Sequence, residues 1–172
     1  MIITYDNKKS EKDILEKTSR IDLKTISGKG SKNKLIHADN LSSLKTLLDD
    51  YSGKVDLIYI DPPFATNGHF KIGAERANTI SSSSDDQIAY SDTLLGADFL
   101  EFLRERLIFL RELMSERGSI YLHIDYKIGH YVKLIMDEVF GIKNFRNDIT
   151  RVKCNPKNFQ RKAYGNTKDL IL

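Results

Sequence analysis

Residues 55–60, Val-Asp-Leu-Ile-Tyr-Ile, constrain the fold more than any other stretch of this chain. They are apolar and β-favouring apart from Asp56, with Gly53 just before them and Pro62-Pro63 just after. The run is too short for a helix, and consecutive prolines cannot continue one, so it reads as a strand. Its near-continuous apolar character predicts burial on both faces, as in a parallel sheet covered by helices. The neighbouring segments supply those helices. Leu41, Leu44, Leu47, Leu48 and Tyr51 recur at helical spacing after Asp39-Asn40, which can cap the first turn, and Ser52-Gly53-Lys54 ends the pattern. A second helix is predicted over 97–117 on Leu100, Leu103, Leu107, Leu110 and Met114, with Gly118 as its stop. A third is predicted over 128–140 on Ile128, Tyr131, Val132, Ile135 and Val139. Further strands are predicted at 35–38, 119–124, about 148–153 and 169–172. Strands alternating with helices argue for an α/β fold with a mostly parallel sheet.

A chain of 172 residues is about one domain long, and 40% hydrophobic residues suffice for a core. Residues 1–33 are polar and lysine-rich, ending in Ser27-Gly28-Lys29-Gly30-Ser31, so they are expected to form a flexible leader ahead of a domain over 34–172. The stretch 67–92 holds Gly68, Gly73 and the run Ser81–Ser84 without periodicity, and is expected to be a long mobile loop. Mean hydropathy is −0.40 and no apolar run approaches the roughly 18 residues of a membrane span, so no membrane partner is expected. Met1 to Ser10 lack the apolar core of a secretory signal, which points to the cytoplasm. A single cysteine, Cys154, excludes an internal disulfide framework and a cysteine-cluster zinc site, and no metal is expected. Charge is segregated: residues 141–172 carry eight Lys or Arg against two Asp, while 85–140 are acidic. The basic end fits a polyanionic partner.

The chemistry sits in Asp61-Pro62-Pro63-Phe64, directly after the strand. In open α/β sheets ligands bind just beyond the carboxyl ends of strands. Asp61 supplies an acceptor, each proline removes an N–H and so leaves carbonyls with few competing donors, and Phe64 offers a flat apolar face. An acid, a carbonyl and an aromatic plate on one stiff turn suit a planar heterocycle with an exocyclic amine. The amine's two hydrogens would go to Asp61 and the Pro62 carbonyl while the ring stacks on Phe64.

This tetrapeptide resembles the (D/N/S)-P-P-(Y/F/W) signature of the S-adenosylmethionine-dependent DNA amino-methyltransferases. Its context, LIHADNLSSLKTLLDDYSGKVDLIYIDPPFATNGHF, is similar to the start of the β-group enzymes, especially the type III modification subunits. The segments RLIFLRELMSERGSIYLHID and MDEVFGIKNF resemble the helix–strand–helix that follows there. The resemblance implies a Rossmann-like methyltransferase fold with strand order 3-2-1-4-5-7-6, S-adenosylmethionine as cofactor, and double-stranded DNA from which the target base is flipped out. It implies a catalytic role for Asp61, Pro62, Pro63 and Phe64, and Asp at the first position resembles the adenine-N6 enzymes. Asp39 matches an acidic position that contacts the cofactor's adenine, beside its ordinary role as a helix cap. His123 and Asp125, at a strand's carboxyl end, are expected to shape the pocket wall.

The sequence departs from that family in one large respect. The only G-x-G, Gly28-Lys29-Gly30, follows no strand, so the cofactor's glycine loop and the two central strands that carry it are expected to be missing. The chain therefore reads as a partial fold, the N-terminal part of a catalytic domain, with a C-terminal segment or a restriction subunit as possible partners. The competing functions are cytosine-N4 methylation, or an inactive fragment that only binds nucleic acid. Lys153, Lys157, Arg161 and Lys162 surround a predicted inter-strand loop and are expected to contact DNA phosphates.

Overall fold

A computed structural model describes residues 3–28, 30–62, 69–72, 77–78, 87–91, 96–153 and 167–172. Helix α1 (Glu11–Lys17) and α2 (Asn40–Tyr51) precede β1 (Val55–Ile60), followed by the short strands β2 (His69–Ile72), β3 (Ala77–Asn78) and β4 (Gln87–Ser91). Then come α3 (Gly96–Leu113), β5 (Met114–Asp125), α4 (Tyr126–Phe140), β6 (Ile149–Val152) and β7 (Lys168–Ile171). The main sheet has the order β1-β5-β7-β6. It is a contiguous part, 4-5-7-6, of the order that the family resemblance implies. β1 and β5 are parallel, while β7 is antiparallel to both of its neighbours. The sheet is thus mixed: β1, β5 and β6 share one direction, and reversed β7 between them leaves a single parallel pairing.

The core forms where α3 lies on the sheet. Phe99, Leu103, Leu107 and Ile108 of α3 are buried against Leu122 and Ile124 of β5, Val132 and Ile135 of α4, and Leu170 of β7. Burial of a side chain of this kind stabilises by about 1.5–3 kcal/mol, which makes α3 the thermodynamic centre of the fold. β5 begins earlier than helical periodicity suggested. The Gly53 and Lys54 N–H groups donate to the Glu112 and Leu113 carbonyls, both at 3.0 Å, and Met114 pairs with Val55. Tertiary pairing therefore stops α3 at Leu113, and residues 114–118 join the strand. Gly118 is required there, because a Cβ would lie 2.9 Å from the Val55 carbonyl oxygen.

Two other expectations are corrected. β1 is buried only at Ile58; Leu57 and Tyr59 are 64% and 59% exposed, because β1 is an edge strand whose second face no described residue covers. Residues 35–38 form no strand and Leu35 is 99% exposed, since no described strand lies alongside to complete its backbone hydrogen bonds. Within 67–92 the described residues form a small antiparallel sheet of order β3-β2-β4, with His69 opposite Ser91 and Ile72 opposite both Ala77 and Gln87.

Residues of the polar start of the chain contact the helices. Ser10 caps α1 by accepting from the Asp13 N–H, and Ile14 enters the core. Ion pairs then fasten the segment to α3 and α4. Lys8 reaches Glu138 at 2.6 Å, Arg104 reaches Glu138 at 2.8 Å, and Arg111 reaches Glu11 at 2.6 Å. The Tyr5 hydroxyl donates to Glu101 at 2.6 Å; burial and that carboxylate push its phenol above the usual range. Burial pushes the Glu138 carboxyl up, but Lys8 and Arg104 prevail and hold it below its ordinary value. A depressed carboxylate stabilises the fold above its unfolded value of about 4.3 and loses that contribution as pH falls through the folded value. The Arg104 side chain is only 5% exposed, so Arg104→Ala should leave Glu138 and Glu101 without their buried partner. We expect a loss of about 3–5 kcal/mol, read as a lower denaturant midpoint at neutral pH.

Candidate active site

Asp61 follows β1, and because Ile60 pairs with Leu122 the register carries Asp61 to the level of His123. Leu122 and Ile124 point into the helical core, so alternation turns His123 to the opposite face of the sheet. There His123 Nδ1 lies 3.0 Å from Asp61 Oδ1. The ring's other nitrogen, Nε2, lies 3.4 Å from Asp169 Oδ2 on β7. In register Asp169 opposes Asp125, which makes it the diagonal neighbour of His123, within reach of an aromatic ring. The Asp61 side chain is 57% exposed and that of Asp169 only 1%, so the row runs from an open end to a buried anchor.

Two cations hold the anchor. Arg151, directly opposite Asp169 on β6, donates to its Oδ2 at 3.1 Å, and the Lys153 ammonium pairs with Oδ1. Burial pushes the Asp169 carboxyl up, but Lys153 and His123 outweigh it and hold the group below the usual carboxylate range. At the open end, Asp61 keeps acceptor capacity for a ligand, since a carboxylate has two acceptor oxygens and the contact with the imidazole engages Oδ1. Pro62 adds a backbone carbonyl and no N–H. Two acceptors at the carboxyl end of a parallel strand match an amine that carries two hydrogens.

The same segment carries the kinship. The DNA methylase family model matches residues 55–172, from the first residue of β1 through all of β7. The chain belongs to the DNA methylase family. The type II methyltransferase M.EcaI of Enterobacter cloacae is 39% identical over 81% of this chain and 28% of its own length. The Mod subunit of the type III restriction-modification enzyme EcoP15I of Escherichia coli is 34% identical over 70% of this chain and 21% of its own. The EcoPI Mod subunit of Escherichia phage P1 is 35% identical over 83% of the chain and 24% of its own. The chain thus spans less than a third of the length of these relatives.

The sequence-derived site residues divide. The structure brings Asp61, His123 and Lys153 into one cluster with Asp169 and Arg151, which sequence pattern alone does not single out. The signal for Asp169 was an acid opening an apolar strand, next to a basic stretch. Asp39 stands apart as the cap of α2: its Oδ1 accepts from the Ser42 N–H at 2.9 Å, and that hydrogen bond holds its carboxyl below the usual range. Asp125 likewise caps α4, accepting from the Lys127 N–H at 2.8 Å. Pro63, Phe64, Lys157, Arg161 and Lys162 lie outside the described residues. Among the described residues no cluster of His, Cys, Asp and Glu is arranged for a metal ion, and no helix is long and apolar enough to cross a membrane.

The balance at Asp169 is open to direct measurement. Replacing both Arg151 and Lys153 by Met should move the Asp169 carboxyl upward, toward or beyond the free value of about 3.9, because burial then acts against His123 alone. Carboxyl-carbon NMR titration measures it; an unmoved midpoint would mean that His123 by itself sets the ionisation.

Proposed function

We propose that the complete enzyme is a site-specific DNA adenine-N6 methyltransferase of a restriction-modification system, with S-adenosylmethionine as its methyl donor. The observation that carries this reading is Asp61 at the carboxyl end of β1, exposed and held on one oxygen by His123, in a chain of the DNA methylase family. Adenine N6 is a poor nucleophile because its lone pair is delocalised into the ring. Hydrogen bonds from its two protons to Asp61 and the Pro62 carbonyl favour a pyramidal nitrogen, which frees the lone pair for attack on a methyl group. Phe64 would stack on the flipped base, an interaction worth about 1–3 kcal/mol. Asp at the motif's first position favours adenine over cytosine. The Mod relatives support a restriction subunit as partner.

Asp39 is the position proposed to contact the donor's adenine, and the donor's glycine loop is not assigned to any described residue. Asp39 spends an oxygen on Ser42, and Gly28 and Gly30 lie in a turn in which the Ser31 N–H donates to the Gly28 carbonyl at 2.9 Å. The steps assigned to this chain are therefore those at the base: binding it, orienting its amine and holding the acceptors in place.

Mass spectrometry of nucleosides from duplex DNA treated with the complete enzyme should show N6-methyladenine; N4-methylcytosine would overturn the choice of base. Asp61→Ala should lower methyl transfer by at least about 100-fold while sparing donor affinity. Near-normal turnover in that variant would remove the motif assignment altogether.

The basic segment has its own test. Lys157, Arg161 and Lys162, with Lys153 in part because Asp169 shares its ammonium, are proposed to contact phosphates. Neutralising the four should weaken binding to every DNA sequence alike. It should also flatten the dependence of log K on log salt by about 0.9 for each phosphate no longer neutralised. An unchanged slope would make this a solvated basic face.

A further inference from the structure

We propose that His123 is a positioning residue for methyl transfer, fixing the Asp61 carboxylate through Nδ1 while buried Asp169 orients the imidazole through Nε2. The inference rests on the assignment of Asp61 to the base amine and adds how that carboxylate is aimed. Asp61 stands one residue past the end of β1, with no strand partner of its own and more than half of its side chain in solvent. An exposed aspartate rotates freely about its side-chain bonds, so its two oxygens exchange places and point in many directions. Contact with His123 Nδ1 at 3.0 Å restrains Oδ1, and a carboxylate restrained at one oxygen keeps the other as an acceptor for the amine hydrogen.

The donor that does this is itself well held. His123 lies on β5, between β1 and β7, and is buried. Its ring is bracketed by carboxylates on both nitrogens, 3.0 Å on one side and 3.4 Å on the other. Asp169 is nearly inaccessible, and a carboxylate is costly to bury without compensation. Arg151 and Lys153 provide it, which keeps Asp169 ionised as a negative charge 3.4 Å from the ring's Nε2. An acting group held by a second, which a third orients, is the general logic by which active sites aim a reactive atom. Here the row is Asp169, His123, Asp61, and it crosses three elements, so packing rather than local chain geometry sets the direction of the last carboxylate.

Side-chain length provides the test. The amide N–H of Asn stands about where Nδ1 of His stands, and that of Gln about where Nε2 stands. In the complete enzyme under single turnover, with saturating DNA and donor, His123→Leu and His123→Gln should each slow methylation about 100-fold with KM for DNA unchanged. His123→Asn should recover most of that activity. Asp169→Asn should slow the reaction less, and adding it to His123→Leu should cause no further slowing, because it acts through the ring. Thermal melts accompany each variant, and His123→Gln, which keeps a polar group at the site, carries the test if His123→Leu does not fold. Wild-type rates in His123→Gln, or equal effects of Asn and Gln, would overturn the proposal. Asp61→Ala separates the two claims: an active Asp61→Ala enzyme sinks the base assignment, whereas an inactive one beside normal His123 variants sinks only the positioning role.

Discussion

The pairing of β1 with β5 is the constraint on which the site depends. Ile60 against Leu122 fixes the level at which β1 ends, and that level brings Asp61 beside His123. A slip of one residue would turn His123 into the helical core and Leu122 out of it. The apolar residues of β5 prevent that slip, since Leu122 and Ile124 are fully buried under α3 and α4. Core packing and site geometry are thus the same fact seen from the two faces of one sheet. The face with the helices supplies the stability, and the opposite face carries the polar row.

A second consequence of this arrangement is that the charges fall into two separate systems. On the helical side, Lys8, Arg104, Glu101 and Glu138 bind the start of the chain to α3 and α4. On the open side, Arg151 and Lys153 sustain Asp169. The first system is structural, closing the end of the core that α1 covers with Ile14. The second stabilises a carboxylate that burial pushes upward, and its exposed end is the proposed contact for the base amine. Lys153 belongs both to this cluster and to the basic stretch proposed to meet DNA, so the Asp169 pairing links the two proposals.

β7 explains how so short a segment forms a coherent site. Because it runs antiparallel to β5, its first residues lie beside the last residues of β5. The chain thus brings Asp169 to the carboxyl ends of β1 and β5, where Asp61 and His123 already lie. A parallel strand in the same place would have presented its opposite end. The mixed character of the sheet is therefore what permits the three-residue row.

Much of this was legible along the chain. Apolar periodicity located α2, α3 and α4, strand-forming runs located β1, β5, β6 and β7, and the Asp-Pro-Pro-Phe motif marked the kinship. Those signals are local, and local preference decides them. Tertiary structure decided the rest. Polarity and lysine content read as a flexible leader over residues 1–33, and the ion pairs that tie residues 8 and 11 to α4 and α3 cannot be seen until those helices are placed. The end of α3 at Leu113 depended on the pairing of Met114 with Val55, an interaction across many residues that overrides helical spacing. The meeting of Asp61, His123 and Asp169 was invisible for the same reason: they lie on separate stretches of chain, and only strand order, direction and register place their side chains on one face within reach of one another.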